Sequence, residues 1–312
     1  MAGSLQSMST LGNREEPLQA PSAQAPPPPI YFDARAELAA RFLFGEGLEI
    51  GPLHQPLTMP PHAKPRYVDR MQVDELRREY PELADWNLTP VDVVDDGELL
   101  RTIPEESQDF IVANHFLEHC ENPISTIQTH LGKLKPGGIL FYAVPDKRYT
   151  FDFRRPVTPL EHMVADYEEG PERSRSEHYE EWTRLVTGEE SPSVGTAEQA
   201  ASEDWALRKA RELEEAKYSI HMHVWTQAEF LKLVLACRDR LGGIFDIEAA
   251  ARQAIEFMVV LRKTGSFPEL PPPAEPSPPG PAEIAARNRR QARVRRALSA
   301  ARNALRRTEA QP

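Results

Sequence analysis

The feature that most constrains this chain is the alternation of short apolar runs with segments of helical spacing between residues 31 and 264. The apolar runs Phe110–Ala113 and Ile139–Val144 are bounded by turn residues, a pattern typical of strands buried on both faces. Segments with helical spacing, such as Val73–Tyr80 and Gln227–Leu241, lie between runs of this kind. The alternation predicts an α/β fold in which helices cover a mostly parallel sheet.

The strand predictions follow from the same runs. Further helices are expected near Asp33 and from Pro123, and strand-like order is expected at His221–Trp225. The predicted strands are Leu48–Ile50, Arg66–Asp69, Val91–Val94, Phe110–Ala113, Ile139–Val144, Phe245–Ala249 and Phe257–Leu261.

Composition divides the rest of the chain. Residues 1–30 are rich in Ser, Gln, Ala and Pro, which bury too little apolar surface to order a chain, so we expect disorder there. Residues 265–282 form a proline-rich linker, and residues 283–312 an arginine-rich helical tail. Within the 31–264 domain, the polar segment 151–220 is too long for an ordinary connection and is interpreted as a lid or substrate-binding insertion.

Charge and cysteine content limit the partners. The formal net charge is −11, which disfavours specific binding of nucleic acid. The arginine-rich tail is expected to be a solvated helix, with weak contact to an anionic membrane, contact with nucleic acid, or docking on the acidic domain as alternatives. Two cysteines form neither a disulfide framework nor a four-thiolate zinc site, and no secretory signal or membrane span is evident. We therefore expect a cytoplasmic protein.

Polar residues follow each of the first five predicted strands. In an open α/β sheet, ligands bind beyond the carboxyl ends of the strands, so these positions are the candidate site. Asp69 follows Gly51 at the spacing typical of an acid that binds a ribose. In chain order the tips carry Glu49 and Gly51; Asp69; Asp95, Asp96 and Gly97; Asn114, His115, Glu118 and His119; and Asp146, Lys147, Arg148 and Tyr149.

This set resembles the class I S-adenosylmethionine-dependent methyltransferases, specifically the type 11 group. In the family's first motif, an acid followed by three alternate glycines, Glu49 and Gly51 match, while Leu53 and Gln55 replace the later glycines. Further similarity lies in the fourth-strand motif from Asp109 to His119, in the turn Leu134–Gly138, and in Pro145–Asp152 with His221–Thr226. These last two segments resemble a bacterial subgroup associated with cell-surface glycan synthesis.

The resemblance implies a Rossmann-like fold, a seven-stranded, mostly parallel sheet with helices on both faces, and S-adenosylmethionine as the cofactor. Asp69 matches the ribose-binding acid, and Asp96 with Gly97 matches the pair that contacts adenine. The complete set of cofactor-binding residues implied is Glu49, Gly51, Asp69, Asp96, Gly97 and Asn114.

The expected reaction is methyl transfer to an oxygen or nitrogen of a small acceptor, with a sugar or cell-surface glycan precursor suggested by the subgroup. A hydroxyl acceptor benefits from a base, and His119 is the first candidate, with His115 and His221 as alternatives. Asp146 is expected to orient the base or the acceptor, and Arg148 to hold an anionic group of the acceptor.

Two alternative functions stay open at this point, and the pair of alternate histidines raises the question of a metal site. His221 and His223 alternate and share a face on a strand, but no third ligand stands at motif spacing, so no metal site is predicted. The missing glycines leave room for a non-catalytic scaffold with this fold. An NAD-dependent, sugar-modifying oxidoreductase is less favoured, because the G-x-G-x-x-G motif and an obvious Tyr-x-x-x-Lys pair are absent. The oligomeric state is left open.

Overall fold

The computed structural model describes residues 33–80, 83, 85–186, 195–196, 199 and 202–266. The predictions for residues 1–30, for the linker beyond residue 266 and for the tail 283–312 lie outside these described residues. All the elements below belong to the unit that begins at Ala34. None of the helices in the described ranges is long and apolar enough to span a membrane.

One seven-stranded sheet organises the domain, in the order β3-β2-β1-β4-β5-β7-β6. The pairs among β1 to β5 are parallel, while β7 runs antiparallel to both β5 and β6. The observed sheet confirms the predicted α/β fold class. The strands are β1 Gly45–Ile50, β2 Ala63–Asp69, β3 Val93–Val94, β4 Gln108–Asn114, β5 Leu134–Pro145, β6 Phe245–Gln253 and β7 Glu256–Lys263.

The helices cover the sheet and fill the long insertion. Four of them lie close to their predicted positions, and the polar segment 151–220 contains helices α4, α5 and α6. Their bounds are α1 Ala34–Phe42, α2 Val73–Glu79, α3 Pro123–Lys133, α4 Leu160–Glu169, α5 Arg175–Leu185, α6 Glu203–Glu215 and α7 Gln227–Arg240.

The segment His221–Trp225 differs from its prediction. It is an extended stretch with one isolated parallel bridge, between Trp225 and Asp146, and it is not a strand of the sheet. The physical reason is that β4 and β7 already occupy the two edges of β5. The segment therefore meets only the end of β5, where Lys147 N donates to the Trp225 carbonyl at 3.0 Å.

Apolar side chains pack on both faces of the sheet. Along β4, Phe110 and Val112 point into the cluster that contains α1, whereas Ile111 and Ala113 point into the cluster that contains α3 and α7. Successive strand residues point to opposite faces, so a strand covered on both sides must be apolar throughout. The same burial explains why the sequence shows continuous apolar runs instead of alternating ones.

A buried histidine ties the third strand tip to the core. His130 on α3 contacts the Tyr142 hydroxyl through Nδ1 at 2.8 Å and the Gly97 carbonyl through Nε2 at 2.8 Å. A carbonyl only accepts, so Nε2 carries the proton and Nδ1 accepts from Tyr142. Burial lowers the pKa of His130 to about 4, although the Gly97 bond opposes the shift, and the neutral ring suits this pair of contacts.

We expect Tyr142→Phe to destabilise the fold by about 1–3 kcal/mol, because it leaves the buried Nδ1 of His130 without a donor. Urea unfolding of the purified protein measures the change. Tyr167→Phe is the matched control, since its hydroxyl donates to Gln128 at 2.8 Å in a partly exposed position where water can replace it. Equal losses in the two variants would contradict a structural role for the His130 contact.

Candidate active site

In the loop after β1, Gly51 and Leu53 both have the positive φ angles typical of a glycine-rich turn, although only Gly51 is a glycine. Gly51 has a φ of +60°, and Leu53 has a φ of +47°, a conformation that costs a non-glycine residue about 1–2 kcal/mol. The Gly51 N–H donates to the Val68 carbonyl at 2.9 Å, and the Thr89 N–H donates to the Leu53 carbonyl at 2.7 Å. Leu53 therefore keeps a glycine-like backbone at a position where its residue type departs from the family motif.

Glu49, at the end of β1, is buried, with 1% of its surface exposed. Its Oε1 accepts from the Leu57 N–H at 2.7 Å, while Oε2 is buried and finds no partner within the described chain. Burial raises the pKa of Glu49 to about 7, against the opposing effects of the Leu57 hydrogen bond and the Arg35 charge. A ligand that donates to Oε2 would satisfy this carboxylate.

The acids after β2 and β3 differ in their burial and in their hydrogen-bond partners. Asp95 is buried and accepts from both the Thr102 N–H and its hydroxyl at 2.7 Å, so it holds its own loop. Asp96 is exposed, and its Oδ1 accepts from the Glu98 N–H at 2.9 Å. Asp69 is half-buried and its Oδ1 accepts from the Arg70 N–H at 2.7 Å. This division favours Asp96 over Asp95 as the ligand-facing acid, as the sequence analysis proposed.

Gly97 is a glycine because its neighbours leave no room for a side chain. A Cβ there would lie 2.6 Å from Phe116 Cζ and 2.8 Å from Ile50 Cγ2. A Cβ on Gly51, in contrast, would have no atom within 4 Å. The space over Gly51 is open at the strand edge, whereas Gly97 is packed against the core.

Asn114, the last residue of β4, completes this half of the site. Its Nδ2 and Oδ1 are both buried without a partner among the residues that the structure describes. Unpaired buried polar atoms are costly, which makes them a physical sign of a missing ligand. The orphaned atoms of Glu49 and Asn114, the open space over Gly51 and the acids Asp69 and Asp96 fit S-adenosylmethionine, whose amino, carboxylate and ribose groups supply the complementary partners.

The second half of the site lies beyond β4. Glu118 is 1% exposed, and both its carboxylate oxygens are buried with no hydrogen-bond partner in the described ranges. Burial raises its pKa, while the charges of His221 and His115 act in the opposite direction. The nearest basic atom recorded is His115 Nδ1, 3.7 Å from Oε1.

Two histidines flank Glu118, and each is held through Nδ1. His119 Nδ1 lies 2.9 Å from the Ile220 carbonyl, and His221 Nδ1 lies 2.6 Å from Asp152 Oδ2. The rings of His119 and His221 meet edge to face with centroids 4.7 Å apart. Since each Nδ1 is engaged with an acceptor, each Nε2 is left to accept a proton or bind a ligand.

Asp152 is held in place by Arg155. Arg155 Nη1 donates to Asp152 Oδ1 at 3.0 Å and to the His221 carbonyl at 2.7 Å. Burial raises the pKa of Asp152, but the His221 hydrogen bond and the His221 and Arg155 charges outweigh it and lower the pKa overall. Asp152 is thus a charged acceptor that fixes the tautomer of His221.

The predicted residues after β5 pair with each other. Arg148 donates through Nε to Asp146 Oδ1 at 2.9 Å and through Nη2 to Oδ2 at 2.6 Å, so the contact is bidentate. The Asp146 side chain is fully buried, and half of the Arg148 side chain is exposed. On this side of the site it is Asp152, not Asp146, that pairs with a histidine, His221, and Asp152 was not among the predicted site residues.

His115 belongs to a network at the other side of this edge. Its Nε2 lies 2.7 Å from Glu256 Oε2, and Arg35 Nε donates to Glu256 Oε1 at 2.6 Å. Burial lowers the pKa of His115, but the Glu256 hydrogen bond and the charges of Glu118 and Glu256 outweigh this and raise it overall. Sequence reasoning missed Glu256 and Arg35, because they come from β7 and α1, far along the chain from β4.

Two groups of side chains have the spacing of metal ligands within the described residues. One is Glu118, His119 and His221, and the other is His162, His178 and His223. In each group the ligand atoms lie within 4.8 Å of one another. The first group is part of the candidate active site, and the second lies between the inserted helices and the His221–Trp225 segment.

The chain matches the family model described as a methyltransferase domain over residues 29–234. It belongs to the methyltransferase domain family. This membership confirms the predicted methyltransferase class at the family level and supports S-adenosylmethionine as the cofactor. The match to the family model does not confirm the resemblance to the glycan-associated subgroup. The comparison with curated proteins finds no match.

Solved S-adenosylmethionine-dependent methyltransferases are similar to this chain at low identity. One from Aquifex aeolicus is 12% identical with a TM-score of 0.37, covering 71% of this chain and 84% of that chain. One from Mesorhizobium loti is 14% identical with a TM-score of 0.39, covering 74% and 96%. One from Methanosarcina mazei is 15% identical with a TM-score of 0.40, covering 72% and 95%. Because these values are low, the family assignment rests on the matched family model.

Glu49→Gln is expected to stabilise the ligand-free protein at pH 8 and to weaken binding of S-adenosylmethionine. The folded-state pKa of about 7 lies above the ordinary value of 4.5, so the folded protein keeps a proton that the unfolded chain loses. Stability of the parent therefore falls as pH rises from about 4.5 to 7, by an amount on the order of 3 kcal/mol. The neutral variant lacks this fall.

Urea unfolding at pH 5 and pH 8, with calorimetric titration of S-adenosylmethionine, measures the two effects. Glu46→Gln on the same strand is the control, because Glu46 is exposed. A parent and a Glu49→Gln variant with the same pH dependence of stability would show that Glu49 is not held protonated.

Proposed function

We propose that this protein transfers the methyl group of S-adenosylmethionine to an oxygen or nitrogen of a small polar acceptor bound beside Glu118. A sugar hydroxyl of a glycan precursor is the favoured acceptor. The observation that carries the proposal is the buried Glu118 carboxylate, whose two oxygens lack partners in the described structure, next to a histidine held by Asp152.

The unpaired carboxylate sets the chemistry of the acceptor. A buried carboxylate accepts hydrogen bonds only, so the group that completes this site must present donors. Neighbouring hydroxyls of a sugar supply two donors to the two oxygens of one carboxylate. This complementarity supports a polyhydroxyl acceptor and agrees with the subgroup that Pro145–Asp152 and His221–Thr226 resemble.

The pairing of His221 with Asp152 supports an oxygen as the atom that receives the methyl group. A hydroxyl is a weak nucleophile near neutral pH and gains from a base that takes its proton. His221 donates its Nδ1 proton to Asp152, which leaves the Nε2 lone pair for this purpose. Asp152 and Arg155 hold the ring and its tautomer.

In the proposed reaction the acceptor oxygen forms a bond to the methyl carbon while the bond between that carbon and sulfur breaks. The sulfur keeps the bonding electrons, and S-adenosylhomocysteine results. The hydroxyl proton passes to His221 Nε2. S-adenosylmethionine supplies the activated methyl group, and the chain contributes mainly by holding acceptor and methyl in line and by excluding water.

His119, predicted as the base, has a different role in this proposal. Burial and the neighbouring His221 charge lower its pKa to about 3, with the Ile220 hydrogen bond acting in the opposite direction. A neutral imidazole of this kind is a weak base, so we assign His119 to positioning His221 and the acceptor. Asp146 and Arg148 hold the loop after β5, and the exposed part of Arg148 remains our candidate contact for an acceptor phosphate.

The test begins with binding. Calorimetry should show tight binding of S-adenosylmethionine and none of NAD, and the reverse result would favour the oxidoreductase alternative. Labelled S-adenosylmethionine is then incubated with nucleotide-linked sugars, phosphosugars and small amines, and methyl transfer is expected to a sugar hydroxyl. Binding of S-adenosylmethionine without transfer to any acceptor would favour a non-catalytic scaffold.

His221→Gln should lower kcat by about 10²–10⁴-fold, because it removes the base, while the dissociation constant for S-adenosylmethionine stays near the parent value. His119→Gln should lower kcat less. Asp239→Asn, an exposed change on α7, is the control. Parent-like turnover of His221→Gln, with loss of turnover in His119→Gln, would show that His119 is the base instead.

A further inference from the structure

A second group of histidines lies outside the candidate active site. His162 comes from α4, His178 from α5, and His223 from the extended segment after α6. One potential ligand atom from each lies within 4.8 Å of the others. The positions are far apart in sequence, so folding alone brings them together.

An acid on α4, Asp166, contacts the first of these rings. His162 Nε2 lies 3.0 Å from His178 Nε2 and 3.1 Å from Asp166 Oδ2. His162 and Asp166 are four residues apart on one helix and therefore share a face. Asp166 is fully buried, and its Oδ2 makes no hydrogen bond of good geometry to the described residues.

His223 points to a missing partner. It is 0% exposed, and its Nδ1 is buried with no hydrogen-bond partner among the described residues. The one hydrogen bond recorded for its ring among the described residues is long, from Nε2 to the Glu121 carbonyl at 3.4 Å. Hydrogen bonds within the group can satisfy His162 and His178, but they leave the Nδ1 of His223 and the Oδ2 of Asp166 without a donor.

We propose that His162, His178, His223 and Asp166 bind one divalent zinc-type cation. Imidazole nitrogens suit Zn²⁺ and disfavour Mg²⁺ and Ca²⁺, which prefer oxygen ligands. Bonds of about 2.0–2.1 Å at tetrahedral angles place ligand atoms roughly 3.3 Å apart. The separations of 3.0 and 3.1 Å from His162 to His178 and to Asp166 are close to this, and the ligand atom of His223 lies within 4.8 Å of those of His162 and His178. Side-chain movements, mainly of His223, would bring the four ligands to these distances.

Surrounding contacts orient the proposed ligands. The Ser174 hydroxyl donates to Asp166 Oδ1 at 2.7 Å, which leaves Oδ2 for the cation. Outer contacts of this kind fix the ligand orientation at metal sites in proteins.

Four protein ligands leave no open position, which is the arrangement of a structural site. The cation would join α4 and α5 of the insertion to the segment that carries His221. His221 is two residues from His223, so the site would hold the proposed base in position without contacting the reaction. The inference does not depend on the proposed function, because it concerns metal content and stability.

The group Glu118, His119 and His221 is the main competitor for an ion. It has the same ligand spacing, but the Nδ1 atoms of His119 and His221 each have a short contact to a hydrogen-bond acceptor. Variants in the two groups therefore separate the two locations.

The experiment uses the full chain, purified without a histidine tag, stripped with a chelator and titrated with Zn²⁺. We expect about one Zn²⁺ per chain by elemental analysis and calorimetry, a higher Tm with the metal, and the intense visible absorption of tetrahedral Co²⁺ after exchange. His223→Gln and His178→Gln should lose the stoichiometric ion and the rise in Tm. His62→Gln, at an exposed histidine, and His119→Gln should keep both.

His162→Gln supplies a second measurement if the buried variants fail to fold, because the His162 side chain is 24% exposed. It should weaken Zn²⁺ binding by at least tenfold while S-adenosylmethionine binding persists. No stoichiometric Zn²⁺ in the parent would overturn the proposal, and so would loss of the ion in His119→Gln with retention in His223→Gln. Neither result affects the test of S-adenosylmethionine binding.

Discussion

The parallel pairing of β1 with β4, at the centre of the sheet, is the constraint on which the site depends. It sets Ile50 beside Ala113, so the strand ends carrying Glu49 and Asn114 lie at one edge. Neither side chain is fully satisfied within the described structure, and both are costly to bury in that state. The apolar packing of the strands on both faces offsets this cost and holds the polar edge open for a ligand.

The segment that follows β4 and the insertion build the acceptor side by a different principle. Here the side chains are fixed by ion pairs and hydrogen bonds instead of strand register. Arg155 joins Asp152 to the backbone of His221 and Met222, and the base of the proposed reaction gains its orientation from that buried cation. The same extended segment carries His223 into the second histidine group, so one stretch of chain links the reaction site to the proposed metal site.

Sequence patterns were sufficient for the sheet and its tips, because burial on both faces leaves a continuous apolar run that ends where the ligand edge begins. They misplaced His221–Trp225 as strand-like, because an apolar, alternating segment looks the same whether or not a sheet edge is free to receive it. Leu53 departs from the family's glycine motif, yet its backbone has the positive φ typical of a glycine. A residue type is therefore an imperfect guide to a loop whose conformation is imposed by its hydrogen bonds.

Local sequence patterns predict the α/β class, the order of the main elements and the acids Glu49, Asp69 and Asp96 at the strand tips. These follow from local spacing and from the rule that parallel strands end at a common edge. The partners that those tips contact depend on the packed fold. It paired Asp152 with His221 and Asp146 with Arg148, and it gathered His162, His178 and His223. Such contacts join residues distant in the chain, and their formation depends on packing that no local pattern encodes.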